Sequence, residues 1–131
     1  MPNRRLYVLL ALAGLGCTRD RPIEPPSKHA GSFSLTLATP NTDDAALFFE
    51  LRGPGITAIH ATNAAAQLFA DSTGTTIRGA IVGPLPVGAL VRFDVPDTTK
   101  LADYTALVLD VAGPDNTLRE SLTGYALRVE R

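Results

Sequence analysis

The stretch Ser32-Phe33-Ser34-Leu35-Thr36-Leu37 decides the fold of this 131-residue chain. Its polar and apolar side chains alternate, and successive side chains of a strand point to opposite faces of a sheet. The stretch therefore predicts a half-buried β-strand. Leu47, Phe49 and Leu51 repeat the pattern, with Phe48 and Glu50 on the other face.

Outward from these two segments, the rest of the chain predicts further short strands separated by turn residues. The candidates are 56–60, 67–70, 75–82, 90–95, 104–111 and 122–129. Within the last two, Leu107, Leu109 and Val111 are expected to share one face, as are Tyr125, Leu127 and Val129. Residues 63–68 contain good helix formers behind an Asn, but a loop or a single turn is an equal alternative. Seven or eight strands predict an all-β, antiparallel sandwich or barrel.

One short motif resembles a feature of immunoglobulin-like sandwiches. In residues 97–104, Leu101 precedes Tyr104 at the start of a late strand, as in the tyrosine corner, where the hydroxyl bonds to the backbone just upstream. A simple cross-strand tyrosine is the alternative. As a whole, residues 31–131 resemble the small immunoglobulin-like or cohesin-like domains of uncharacterised bacterial lipoproteins. That resemblance implies one sandwich of seven or eight strands and transfers no catalytic residue, since sandwiches host many functions.

The start of the chain has the layout of an export signal. Arg4 and Arg5 precede an apolar run, residues 6–15, and small residues lead to Cys17, the single cysteine. The run is about half the roughly 20 residues that a membrane-spanning helix needs. Cleavage after Ala13 and a buried leader in a cytosolic protein are alternatives. The first would leave a short signal, and the basic start and later prolines argue against the second.

The end of this leader resembles the lipobox of bacterial lipoproteins, in which a peptidase cuts before a cysteine that carries diacylglycerol. Gly16 fits the box, whereas Gly14 stands where the usual box has Leu. The resemblance implies a signal peptide over residues 1–16 and lipid attachment at Cys17. Position 18 is a threonine and not the aspartate that retains some lipoproteins in the inner membrane. We therefore expect the protein to lie in the bacterial cell envelope, at the outer membrane or cell surface.

Residues 17–30 are expected to form a proline-rich tether after the lipidated cysteine, and residues 31–131 a single domain. The chain has 12 basic and 13 acidic residues. Without Arg4 and Arg5, ten basic residues face 13 acidic ones, a net charge of −3. Because these charges are scattered and form no basic stripe, we expect no nucleic-acid partner.

The sequence offers no convincing metal or cofactor site. His29 and His60 are the only histidines, and a zinc site needs three or four converging ligands. Asp43 and Asp44 could contribute to a calcium site, with Asp71 or Asp115 from other loops. An acidic turn is the alternative that we favour.

Catalytic patterns are equally weak, so we expect that the protein is not an enzyme and has no catalytic residue. No serine lies in a Gly-x-Ser-x-Gly elbow, and His60 is the only base available to a triad in the domain. Paired carboxylates for glycoside chemistry would have to come from strand positions that resemble solvated faces: Glu50, Asp94, Asp110, Glu120 and Glu130.

Phe48 is the one candidate contact residue. The chain has no tryptophan, and most of its aromatic residues occupy apolar strand positions expected in the core. Phe48 and Phe49 are adjacent, so they point to opposite faces of their strand. Either one of them is exposed, or a loop or neighbouring sheet covers the second face and both are buried. An exposed Phe48 would suit a contact surface.

These observations favour a lipid-anchored, non-catalytic sandwich for protein–protein adhesion or scaffolding at the envelope. The alternatives are a module that binds envelope or secreted polysaccharide and, third, a small hydrolase with an unrecognised site. The expected partners are the membrane, through Cys17, and an envelope protein or glycan. The domain itself is expected to be monomeric.

Overall fold

A computed structural model describes residues 29–85 and 87–131 and confirms an all-β sandwich. The predicted signal peptide, Cys17 and most of the predicted tether lie outside these residues. Within the described ranges, eight strands form two four-stranded antiparallel sheets. They are β1 (Gly31–Ala38), β2 (Ala46–Arg52), β3 (Thr57–Ala61), β4 (Gln67–Thr73), β5 (Thr76–Val82), β6 (Ala89–Val95), β7 (Thr105–Ala112) and β8 (Ala126–Glu130).

In both sheets the order of the strands differs from their order in the chain. The first sheet has the order β3-β6-β1-β8, and the second has the order β4-β5-β2-β7. β4 and β5 form the single hairpin between consecutive strands of one sheet within the described chain, closed by Gly74 and Thr75. Most other connections cross from one sheet to the other, so nearly all pairing joins residues far apart in sequence.

The core lies between the inner faces of the sheets, as the alternating pattern predicts. Phe33, Leu35 and Leu37 of β1 face it, and Leu47, Phe49 and Leu51 of β2 face it from the opposite sheet. Complete burial of a large apolar side chain contributes about 1.5–3 kcal/mol to folding. β1 and β2 therefore each supply three buried side chains to the core, one strand from each sheet.

Tyr104 completes an aromatic cluster at one end of this core. Its ring centroid lies 5.2 Å from that of Phe33 in an edge-to-face arrangement and 6.2 Å from that of Phe93. The short 3-10 helix Leu101–Asp103 leads into it. The hydroxyl donates to the Pro54 carbonyl at 2.7 Å, 50 residues upstream. The predicted corner bond to the backbone just upstream is therefore replaced by a bond to the β2–β3 loop.

One predicted face is wrong, because β7 contains a β-bulge. Phe48 of β2 pairs with Asp110, but the next residue, Phe49, pairs with Val108, so Leu109 is extra. The bulge shifts the alternation by one residue. Val111 is completely buried, whereas Leu107 and Leu109 are exposed on the outside of the sheet.

Two smaller differences concern where elements begin. β8 starts at Ala126, and the four residues before it form a turn closed by a bond from the Tyr125 amide to the Leu122 carbonyl. The inward face of Leu127 and Val129, with Tyr125, is as predicted. Residues 63–66 form a turn that leads into β4, and the Asn63 side chain accepts a bond from the Ala65 amide.

In the part of the chain that the structure describes, no helix has the length and apolar character needed to cross a membrane.

Candidate interaction surface

The outer faces of the two sheets differ in polarity. The first sheet carries Ser34, Thr36, Arg92, Arg128 and Glu130 on its outer side. The Thr36 hydroxyl donates to Glu130 at 3.0 Å. An antiparallel sheet with one solvated face normally has this polar character. The first sheet therefore has the surface expected of a domain in water.

The second sheet exposes an apolar surface, which we call the Phe48 face. It comprises Phe48, Phe69, Ala80, Val82, Leu107 and Leu109. Phe48 is 41% exposed and Phe69 is 59% exposed, whereas the adjacent Phe49 is completely buried. Of the adjacent pair, Phe48 is therefore the exposed member, and no loop or neighbouring sheet of the described residues buries it. Contiguous apolar patches on a soluble domain mark interaction sites more often than isolated residues do.

Strand register places a shallow groove at the centre of the Phe48 face. Ala80 of β5 pairs with Phe48 on one side and with Phe69 on the other. Neighbouring strands are about 4.8 Å apart, so the two phenylalanine Cα atoms lie about 10 Å apart across the small alanine. Two aromatic walls and an alanine floor leave room for an apolar side chain from outside.

Packing beneath this groove fixes the position of Phe48. Gly79 pairs with Phe49, and a Cβ built on Gly79 would lie 2.3 Å from the Phe49 ring. Glycine therefore leaves the space that the end of the Phe49 ring occupies against β5 on the inner side. Because Phe49 is held inward, Phe48 must point outward.

An ionic row borders the apolar residues on the same face. Glu50 of β2 accepts bonds from Arg52 at 2.7 Å and from Arg78 of β5 at 3.1 Å. Asp71 of β4 pairs in register with Arg78. The hydrogen bond from Arg78 is the main cause that lowers the pKa of Glu50, and the bond from Arg52 acts in the same direction. Glu50 is therefore ionised at neutral pH, and the row marks one boundary of the Phe48 face.

Sequence reasoning misjudged two members of this surface. Glu50 was expected on a solvated face, but it is only 6% exposed because the two arginine side chains cover it. Phe69 was expected in the core, but Leu68 occupies the inward position of β4. The sequence Leu68-Phe69-Ala70 is apolar throughout, so alternation could not identify which residue faces out.

The side chain of Arg119 binds the carboxylates of the predicted acidic turn, Asp43 and Asp44. Asp44 Oδ1 accepts bonds from Arg119 Nε at 3.0 Å and from the Tyr125 hydroxyl at 2.8 Å. Asp44 Oδ2 accepts a bond from Thr39, and Arg119 Nη2 lies 2.6 Å from Asp43 Oδ1. The guanidinium therefore lies where a cation shared by the two carboxylates would bind.

This network controls the charge of Asp44. Burial tends to raise the pKa of Asp44, but the bonds from Thr39, Tyr125 and Arg119 outweigh it and hold the pKa below its usual value. The bonds to Asp44 raise the pKa of Arg119 in turn. The group joins the β1–β2 loop to the β7–β8 loop and is a structural ion pair.

The other residues considered for chemistry remain separate. His60 lies on the edge strand β3, with Nδ1 2.9 Å from the Ala58 carbonyl. Asp94 accepts a bond from Ser32, and Asp110 accepts one from the Val111 amide. Over residues 29–85 and 87–131, no three or more histidine, cysteine or acidic side chains form a group that could hold a metal ion.

Comparison of the chain with protein-family models, with curated proteins and with solved structures found no match. Any functional argument therefore depends on the surface itself.

Proposed function

We propose that this protein is a non-catalytic binding module that contacts a protein partner through the Phe48 face. The observation that carries the proposal is the contrast between the two outer faces. A domain surrounded only by water would gain solubility from two polar faces, yet Phe48, Phe69 and Leu109 are exposed together on one.

The composition of the face favours protein over polysaccharide as the partner. Protein interfaces are enriched in aromatic residues and arginine around an apolar centre. Here the groove between Phe48 and Phe69 is flanked by the aliphatic Leu107 and Leu109 and bordered by the Glu50 row. Aliphatic side chains add contact area for apolar protein residues but supply no flat platform for a sugar ring.

The tether forms the second part of the proposal. We infer an exported protein, held at the bacterial envelope by a lipid on Cys17, whose sandwich is displayed for a protein of the same compartment. The support is the layout of the leader: two arginines, eleven apolar or small residues and a cysteine. Protein adhesion or scaffolding is the role that such a display would serve.

Site-specific photo-crosslinking in cells tests the binding surface. A photoreactive phenylalanine analogue replaces Phe48 or Phe69 in the full chain, and matched controls carry it at Ser34 or Thr36 on the polar outer face. We expect a discrete protein adduct from positions 48 and 69 and none from the controls. Adducts of equal yield from both faces, or from neither, would contradict the proposal.

A glycan array tests the alternative that the partner is a polysaccharide. The full chain with Cys17→Ser is compared with the same chain carrying Phe48→Ser. Glycan binding that Phe48→Ser abolishes, together with no protein adduct in cells, would assign the face to polysaccharide instead.

Metabolic labelling with a fatty-acid probe tests the anchor. Wild type should take up the label, and Cys17→Ser should lose it completely. A mutant that keeps the label would refute lipid attachment at Cys17, while the crosslinking result would stand independently.

A further inference from the structure

We propose that the partner adds a β-strand to the free edge of β4, with an apolar residue beside Phe69 and a basic residue beside Asp71. This inference rests on the proposed function and names how the partner is held. An edge strand presents unpaired backbone N–H and C=O groups, which another extended chain can pair with.

The edges of the first sheet carry features that discourage strand addition. β3 has five residues, an irregular register with β6, and a positive φ of 48° at Ala58. β8 also has five residues, and it alternates the charged Arg128 and Glu130 toward solvent. Short, irregular or charged edges are the devices by which sheets avoid pairing with other chains.

The β7 edge of the second sheet is protected as well. The Leu109 bulge interrupts its regularity, and the following loop folds back onto its end. In that loop Leu118 forms a bridge with Ala112, and the Arg119 amide donates to the Val111 carbonyl at 2.8 Å. A partner strand could not run along β7 without displacing these bonds.

β4 has none of these features. Its seven residues pair with β5 through seven consecutive positions without an irregularity. It contains no proline, lysine or arginine, and Asp71 is its single charge. Within the described chain, the backbone of residues 67–73 makes no hydrogen bond to another segment besides its ladder with β5. β4 is therefore a regular edge that no segment among residues 29–85 and 87–131 covers.

Hairpin geometry identifies the peptide groups that are available. The two-residue loop at Gly74 and Thr75 closes on the hydrogen-bonded pair Thr73 and Thr76. Hydrogen-bonded and non-bonded pairs alternate along an antiparallel ladder, so Phe69 and Asp71 bond to β5. The N–H and C=O groups of Leu68, Ala70 and Ser72 consequently point away from β5, toward an added strand.

The side chains beside this edge define the chemistry of the added strand. Phe69 and Asp71 are two residues apart and both lie on the outer side of the sheet. Asp71 has no ion-pair partner in the described residues, since Arg78 binds Glu50 instead. An added strand with an apolar residue, any residue and then a basic residue, in either direction, would extend the Phe48 face and neutralise Asp71.

A second copy of the chain fits this edge less well. Two β4 strands paired about a two-fold axis at Ala70 place Asp71 opposite Phe69, and an axis at Asp71 places two carboxylates together. An axis at Phe69 avoids both but shortens the paired segment to residues 67–71. No register supplies a cation, because β4 has no basic residue.

Peptide display with four versions of the chain tests the inference. A library of random decapeptides is selected on the full chain carrying Cys17→Ser, and the enriched peptides are then titrated against Ala70→Pro and Asp71→Lys versions of it. Proline at position 70 removes one outward N–H and leaves the bonds to β5 intact. Asp103→Lys, a remote charge reversal on an exposed residue, is the matched control.

We expect enriched peptides that carry an apolar residue two positions away from a basic residue. Ala70→Pro should weaken them about tenfold, the effect of one lost main-chain hydrogen bond. Asp71→Lys should reverse the preference to acidic peptides, and Asp103→Lys should change nothing.

Three results would overturn the inference: no enrichment, binding that Ala70→Pro leaves unchanged, or a basic preference that survives Asp71→Lys. A dimer that dissociates on Ala70→Pro would assign the edge to a second copy, and so would also overturn it. If Ala70→Pro does not fold, the charge reversal decides alone. Crosslinks from position 48 that persist in Ala70→Pro cells would leave the proposed function standing without the added strand.

Discussion

Gly53 and Tyr104 are in direct contact beside the paired ends of β2 and β7, and the tyrosine ring requires a glycine at position 53. A Cβ built on Gly53 would lie 2.1 Å from Cδ1 of Tyr104. The next residue, Pro54, accepts the hydrogen bond of the same tyrosine at 2.7 Å. One side chain therefore packs against and bonds to the β2–β3 loop, and so fixes that loop on the sandwich.

Gly53→Ala should destabilise the protein by about 1–3 kcal/mol, the usual cost of overpacking a core. The free energy of unfolding in urea measures the effect. In a Tyr104→Leu background the added methyl group meets a smaller, flexible side chain, so its cost should fall. Equal costs in both backgrounds would show that the Tyr104 ring is not the cause.

Tyr104→Phe should cost about 0.5–1.5 kcal/mol, because it removes the bond to Pro54 and keeps the ring against Phe33 and Phe93. Burial raises the pKa of the Tyr104 phenol, so the hydroxyl remains a donor at neutral pH. Tyr104→Ala, which also removes the ring, should cost about 3–5 kcal/mol. Equal losses from both variants in urea unfolding would contradict this division.

Acid should weaken the fold through Asp44. Its folded pKa is lowered, so its contribution is present above the unfolded pKa, about 4, and is lost as the pH falls through the folded pKa. Tm should therefore decline below about pH 4, and Asp44→Asn should flatten that decline.

Asp43→Asn is the matched control for this measurement. Its side chain is 60% exposed, compared with 2% for Asp44, although both carboxylates contact Arg119. An exposed ion pair adds little stability, so this variant should keep the acid dependence of wild type. The same flattening in both variants would place the effect on Arg119 and not on Asp44.

Phe48→Ser and Phe49→Ser should behave in opposite ways, although they change neighbouring residues. Removing the exposed Phe48 ring should shift stability by no more than about 0.5 kcal/mol and reduce the binding of an apolar dye such as ANS. Phe49→Ser replaces a completely buried ring with a polar group and should cost at least about 3 kcal/mol. A Tm loss from Phe48→Ser as large as from Phe49→Ser would mean that the face is part of the core.

Several features of the fold followed from local patterns alone. Alternation in β1 and β2 predicted both strands and the inward side of each, because a strand with one buried face must alternate. The adjacent Phe48 and Phe49 predicted that the two rings point to opposite faces of the strand, since successive side chains alternate.

Other features depended on contacts between distant segments. The exposure of Leu109 depends on a bulge opposite β2, and the cover over Glu50 depends on Arg78, 28 residues away. No local pattern reports a register shift or the strand that will lie alongside. The Tyr104 hydroxyl likewise found its acceptor 50 residues upstream, where the short motif predicted a nearby one.

The sequence by itself thus determined an all-β domain, the two central strands and the opposite directions of Phe48 and Phe49, because the period of a strand is set by consecutive residues. Tertiary structure alone decided that Phe48, Phe69 and Leu109 form one face, and that β4 is the uncovered edge beside it. Both depend on strand order and register, which arise from pairing between residues far apart in the chain.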